Sequence, residues 1–295
     1  MMDCGSTVTD DTAFFRFGPI ARPVVFVNCA SLAAMIAARL NGWSVTPWPR
    51  TGARSEPVIT VTRRENDYAL ASDTIKGEET YEGEANIVCA FIAELVMAFG
   101  AADPDTLFLH AGGAVIADRL VIYPASGKTG KSTLTAQLAA RGARVFTDDV
   151  VPVNLETGKA MALGIEPHLR KPLPDALPAA ERRWIEDHVS IANKRMAYLG
   201  LPRKGAGSLA PLGEARKIGA FVLLERREGV APLLEPCARV DLMKLIIRQH
   251  FGAARPAPEI LPRFKALIES APCWRITYSG GDEAARLIEE LVARP

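Results

Sequence analysis

The apolar positions of this chain follow one pattern up to about residue 100 and another after it. In the first part, the β-branched runs Val24-Val25-Phe26-Val27 and Val58-Ile59-Thr60-Val61-Thr62 predict strands. Residues 31–40 predict a short helix capped by Ser31, and the Pro/Gly/Arg-rich stretch 47–57 predicts a loop. Residues 87–99 are the greasiest run. They are too few to span a bilayer and contain Glu94, so they predict a buried helix. From Leu107 strand and helix alternate. Leu107-Phe108-Leu109-His110 predicts one strand. Ala114-Val115-Ile116-Ala117 and Leu120-Val121-Ile122-Tyr123 predict a hairpin turning at Asp118-Arg119. Residues 131–141 predict a helix with Leu134 and Leu138 on one face and Gly142 as its stop. Residues 144–149 predict a strand ending in Asp148 and Asp149, and 220–225 a buried one. Residues 240–249 and 282–293 predict helices. The expectation is an α/β fold with a parallel sheet, in two parts. A small α+β unit spans residues 1–103 and the unit carrying the chemistry spans 104–295.

Composition narrows the class. The 295 residues carry 35 Lys and Arg against 34 Asp and Glu, too balanced for a field that gathers nucleic acid. Five cysteines, Cys4, Cys29, Cys89, Cys237 and Cys273, are scattered without C-x-x-C spacing, which argues against a zinc site or a disulfide framework. The N-terminal stretch is acidic and has no apolar signal core. A soluble, cytoplasmic protein with no nucleic-acid or membrane partner is expected.

The chemistry is concentrated in Ala125-Ser126-Gly127-Lys128-Thr129-Gly130-Lys131-Ser132. This is the phosphate-loop pattern G-x-x-x-x-G-K-[ST] with Ala125 in place of the first glycine. An apolar strand precedes it and a helix follows, the order that aims backbone N–H groups and a helix N-terminus at an anion. Gly127 and Gly130 allow positive φ and close approach. Lys131 can reach β- and γ-phosphates, and the Ser132 hydroxyl can ligate magnesium. Ser126, Gly127, Lys128, Thr129, Gly130, Lys131, Ser132 and Thr133 are therefore candidate nucleotide-binding residues. In a parallel sheet, Asp148 and Asp149 fall on the same rim as the loop. One carboxylate there can hold magnesium and the other can take a proton from a hydroxyl. His110 ends its own strand before Ala111-Gly112-Gly113. His168, His188 and His250 have no such context and are read as surface residues.

Together, His110, the hairpin, the Ser126-to-Ser132 loop and Thr147-Asp148-Asp149 resemble, in order and spacing, the catalytic core of the HPr kinase/phosphorylase family. The chain is most similar to the short HPr-kinase-related proteins, which include the kinases of lasso-peptide precursors. Residues 164–172, Lys194-Arg195 and residues 221–225 extend the likeness. The resemblance implies a P-loop-containing fold of the HPr-kinase/phosphoenolpyruvate-carboxykinase type. It implies Asp148 as general base, Asp149 with Ser132 on magnesium, and His110 beside the transferring phosphate. Arg170, Lys194 and Arg195 would neutralise phosphates or bind substrate. The family's Arg/Gly-rich signature after the aspartates is missing, so HPr as substrate, phosphorylase activity and hexameric assembly are not carried over. Glu166 is the candidate for its additional metal-binding glutamate.

The sequence reading is an ATP- and magnesium-dependent kinase that transfers the γ-phosphate to a hydroxyl. The acceptor implied is a serine of a peptide or small protein, such as a precursor peptide or carrier protein. A small-metabolite kinase, a carboxykinase-like enzyme and a non-catalytic ATP-binding switch are the alternatives. Intact Lys131, Ser132, Asp148 and Asp149 favour chemistry over the switch.

Overall fold

A computed structural model describes residues 11–49, 55–103, 105–125, 127, 129–252 and 256–294. Most of the acidic N-terminal stretch, with Cys4, and residues 50–54 of the expected loop lie outside them. The chain forms two compact units. One comprises residues 1–38 and 43–102; the other comprises 39–42 and 103–295.

The first unit contains β1 (Thr12–Phe17), β2 (Val24–Val27), α1 (Ser31–Ala37), β3 (Val45–Pro47), β4 (Ile59–Arg63), β5 (Asp67–Ser72), β6 (Glu79–Glu82) and α2 (Gly83–Gly100). Among the described residues its strands make one sheet in the order β3-β1-β2-β4-β5-β6, with β2 and β4 parallel. The helix α2 buries Ile87, Val88, Phe91, Ile92, Leu95 and Val96, one stripe at the helical period. The Phe91 ring packs 5.2 Å from Phe17 and 5.7 Å from Phe26. By length and composition alone α2 could cross a membrane. Ser31 is not a cap: the capping position is Ala30, already helical, with no side-chain cap bond. The chain turns earlier, where Asn28 takes φ +59° and the Leu32 amide donates to the Cys29 carbonyl, so Ser31 is already inside the helix.

The second unit contains β7 (Thr106–Ile116), β8 (Arg119–Pro124), α3 (Lys131–Ala140), β9 (Arg144–Thr147), β10 (Val150–Asn154), β11 (Lys159–Met161), β12 (His168–Arg170), α4 (Ala179–Asp187), β13 (Val189–Ala192) and β14 (Met196–Leu199). It continues through β15 (Ala215–Arg226), β16 (Leu233–Pro236), α5 (Arg239–Gln249), β17 (His250–Gly252), α6 (Ala257–Glu269), β18 (Cys273–Tyr278) and α7 (Gly281–Ala293). The main sheet runs β11-β10-β7-β8-β15-β18-β16, and β11 also pairs with β15. The helices α5 and α6 pack on one apolar face through Leu242, Ile246, Ile260 and Phe264. On the other face, α3 and α7 contribute Leu134, Leu138, Ala284 and Ile288. A small sheet, β12-β14-β13, packs with α4 against the far side of α3 through Leu169, Leu199 and Ile185.

Three expectations change here. The expected runs at 107–110 and 114–117 join, as far as Ile116, into one strand, β7, because Gly112 and Gly113 interrupt the side chains without interrupting the ladder. The hairpin turns at Ala117-Asp118, with φ +45° and +64°, so Arg119 opens β8 opposite Ile116. Two positive φ values in a two-residue loop match the strand twist. The sheet is also mixed: β8, β15 and β18 are parallel, whereas β9 and β10 run antiparallel to β7.

Candidate active site

The loop is built as its sequence requires at its far end. Gly130 holds φ +89° immediately before α3, a left-handed conformation that costs any other residue strain. Lys131 is the first helical residue, and its side chain folds back so that Nζ donates to the Ala125 carbonyl at 2.8 Å. That nitrogen also lies 3.1 Å from His110 Nε2. Lys131 is only 7% exposed, and burial pulls its ammonium below the usual lysine range against the charges of Asp149 and Asp148. Ser132 and Thr133 are half-buried on the first turn, and Gly127 is exposed. Ser126 and Lys128 lie outside the described residues.

The aspartates reach this loop through β7. The ends of β8 and β9 both fall near Ala111–Gly113, since each runs antiparallel to that strand on an opposite edge. Asp148 and Asp149 fill the break between β9 and β10, and the Ala111 amide donates to the Asp149 carbonyl at 2.9 Å. A parallel sheet is thus not needed to put carboxylates on the loop's rim. The two side chains nevertheless meet different surroundings.

Asp149 is the more accessible, its side chain 46% exposed, with Oδ1 3.0 Å from His110 Nδ1. Burial alone would raise its pKa. The His110 hydrogen bond and the charges of His110, His168 and Lys131 outweigh that and hold it below the ordinary carboxylate range. His110 therefore stands between Lys131 and Asp149, one ring nitrogen toward each. Asp148 is 4% exposed. Burial pushes it up to about 6 against the pull of His168, whose amide donates to Oδ2 at 3.0 Å and whose Nδ1 lies 3.3 Å away. The carboxylate that stays ionised and the carboxylate poised near neutrality are therefore neighbours in sequence and opposites in environment.

His168 corrects its assignment to the surface: it is half-buried against Asp148 and Tyr198. Its position after Pro167 carried no signal, because the pairing arises from the separate β12 sheet. His188 instead stacks on Trp184 at 3.9 Å, and His250 begins β17 with its ring against Phe264. The charge of Arg170, exposed at the end of β12, acts on Lys131. Lys194 and Arg195 are exposed between β13 and β14, and no contact among the described residues brings them to the loop. Glu166 is 4% exposed, accepts the Ser190 hydroxyl at 2.9 Å and is raised by burial.

Two supports had no sequence signal. The Tyr123 hydroxyl lies 2.6 Å from Thr135 Oγ1, which itself donates to the Lys131 carbonyl at 3.0 Å, so Tyr123 is the donor. The Tyr278 hydroxyl, whose pKa burial pushes up to about 12, donates to the Thr129 carbonyl. At the far end of α3, Arg141 pairs with Glu181 at 2.7 Å, Glu289 at 3.2 Å and Asp282.

Among the described residues no group of three or more His, Cys, Asp or Glu is arranged to hold a metal ion. Magnesium does not need one. It keeps waters and substrate oxygens and takes one or two protein oxygens, and the Ser132 hydroxyl and ionised Asp149 fit that donor set.

No family model matches this chain, and no curated protein matches it. Among solved structures it is similar to the Hpr(Ser) kinase/phosphatase from Coxiella burnetii, at 16% identity and a TM-score of 0.33. That alignment covers 63% of this chain and 93% of the other. A likeness so distant adds no weight to the site, whose residues speak for themselves.

Proposed function

We propose that the protein is a magnesium-dependent phosphotransferase that moves the γ-phosphate of ATP to a hydroxyl, most naturally a serine of a peptide or small protein. The observation that carries this reading is the convergence of Lys131 Nζ, 3.1 Å from His110 Nε2, with two carboxylates of opposite poise behind it. The loop amides and Lys131 hold the phosphates, and the buried ammonium neutralises charge where water would otherwise screen it. Asp149 and Ser132 would hold magnesium, which would supply positive charge to offset that of the phosphates. Asp148, with a pKa near 6, is ionised at neutral pH yet basic enough to accept the acceptor's proton. His110 fixes the Asp149 carboxylate and keeps Lys131 turned toward the loop. Arg170 adds positive charge on the same side. The serine acceptor is supported by the sequence resemblance. A cytoplasmic setting is supported by the scattered cysteines of the sequence, which have no paired C-x-x-C spacing.

The test is ATP turnover with serine-containing peptides and with small hydroxyl metabolites, followed by mass spectrometry of the acceptor. Phosphate on a serine supports the proposal; phosphate on a metabolite keeps the kinase and changes its acceptor class. Tight ATP binding without transfer to any acceptor would make the protein a nucleotide switch. No binding of ATP would overturn the reading of the loop.

A further inference from the structure

Among the described residues, β16 ends the main sheet and runs antiparallel to β18, with Leu233 opposite Thr277 and Pro236 opposite Trp274. A proline suits an edge strand, where no outer neighbour needs its missing N–H. One residue further the ladder continues: the Cys237 amide donates to the Cys273 carbonyl at 2.9 Å. The register therefore sets Cys237 across from Cys273 in a hydrogen-bonded pair. Such a pair holds its Cα atoms about 5.5 Å apart with both side chains on one face. That separation falls inside the range of about 4.4–6.8 Å over which a disulfide closes.

The side chains agree with the backbone. Cys273 belongs to the apolar cluster under α5 and α6, and Cys237 packs against the same cluster. The two thiols interact through a side-chain hydrogen bond. They differ in access: Cys237 is half-buried, whereas Cys273 is 8% exposed. Arg275 reaches back along β18, its Nη2 3.9 Å from Cys237 Sγ and 2.8 Å from Asp241 Oδ2. Burial raises both thiols above their ordinary range, and the Arg275 charge pulls each the other way. Exchange is therefore slow at neutral pH and begins at the sulfur that solvent reaches. Cysteines so far apart in sequence carry no spacing signal; the β16–β18 register alone brings them together.

We propose that Cys237 and Cys273 form a dithiol modification site, which a small-molecule disulfide such as glutathione disulfide converts to a cross-strand disulfide. The Cys237 thiolate attacks one sulfur of the reagent, forms a mixed disulfide and expels the first thiolate. The Cys273 sulfur, losing its proton, then attacks the Cys237 sulfur and expels the second. The two cysteines lose two electrons, the reagent is reduced to two thiols, and these take up the two protons released. Excess thiol runs the exchange backward. Nothing in this chemistry depends on what the phosphate loop binds.

The test is mass spectrometry of the full chain. Protein reduced with dithiothreitol, then freed of it, is incubated at about pH 8 with glutathione disulfide, alkylated and digested. The expected product is a peptide pair linked through Cys237 and Cys273, which disappears on renewed reduction. Cys273→Ser should stop with glutathione on Cys237. That adduct should outlast the wild-type adduct at least about tenfold, because no second thiol stands opposite it. Cys237→Ser should leave Cys273 unmodified in the folded protein. A wild-type adduct at Cys237 that persists without bridging overturns the pair, as does a bridge from either cysteine to Cys29 or Cys89. Survival of both thiols in an excess of glutathione disulfide overturns the site altogether.

Discussion

Lys131 Nζ lies 3.1 Å from His110 Nε2, although 21 residues separate them in the chain. The contact joins the first residue of α3 to the middle of β7, and through His110 Nδ1 it continues to Asp149. His110 links the loop lysine and the carboxylate through its two ring nitrogens. The loop lysine is thus held in place before any ligand arrives.

Removing that lysine tests the loop. Lys131→Ala is expected to weaken magnesium-ATP binding by more than about 100-fold, or roughly 3 kcal/mol, because a charge-assisted contact to a buried anion is deleted. Calorimetry showing unchanged affinity would mean the loop holds something else.

The aspartates should separate by phenotype. Asp148→Asn cannot accept a proton, so transfer is expected to fall about 100- to 10,000-fold while ATP affinity stays within about tenfold. Asp149→Asn should instead raise the magnesium concentration needed for binding. Stopped-flow transfer rates and magnesium titrations read the two effects independently. Reversed phenotypes would exchange the roles and leave the kinase; no effect from either would make the pair structural.

Gly112 should prove as sensitive as any loop residue. A Cβ there would clash with the Tyr123 ring, which is fully buried and hydrogen-bonded to Thr135 one turn after Lys131. Gly112→Ala is expected to cost about 3 kcal/mol, the upper end for overpacking a core, and to lower ATP affinity as well. Urea unfolding with little loss would show that Tyr123 can move aside.

Glu166 gives a pH signature. Burial raises its pKa above the ordinary 4.5, so the folded state holds the proton more tightly than the unfolded chain does. The stability linked to it is fully present below 4.5 and is lost as pH rises through the raised folded value. Glu166→Gln keeps an acceptor for Ser190 but does not titrate. The stability of wild type relative to this variant should therefore fall with rising pH and then level off. A difference that is flat in urea midpoints across that range would contradict the buried, raised carboxyl.

The sequence alone determined the parts whose physics is local. The turn at Gly130, the start of α3 at Lys131 and its stop at Gly142 are written in backbone freedom and helix propensity, and so were legible. The apolar stripe of α2 and the strand cores at 24–27 and 59–62 were legible through side-chain period. Tertiary structure decided what depends on pairing between distant segments. The fusion of two expected strands into β7, its two edges, and hence the meeting of Asp148 and Asp149 with the loop follow from ladder register, to which no residue type is bound. His168 beside Asp148, and Tyr278 beneath Thr129, come from separate strands whose short runs carried no period of their own. The same holds for the opposite poise of the two aspartates. Adjacent in sequence and identical in chemistry, they differ only in burial and neighbours, and those exist only once the chain has folded.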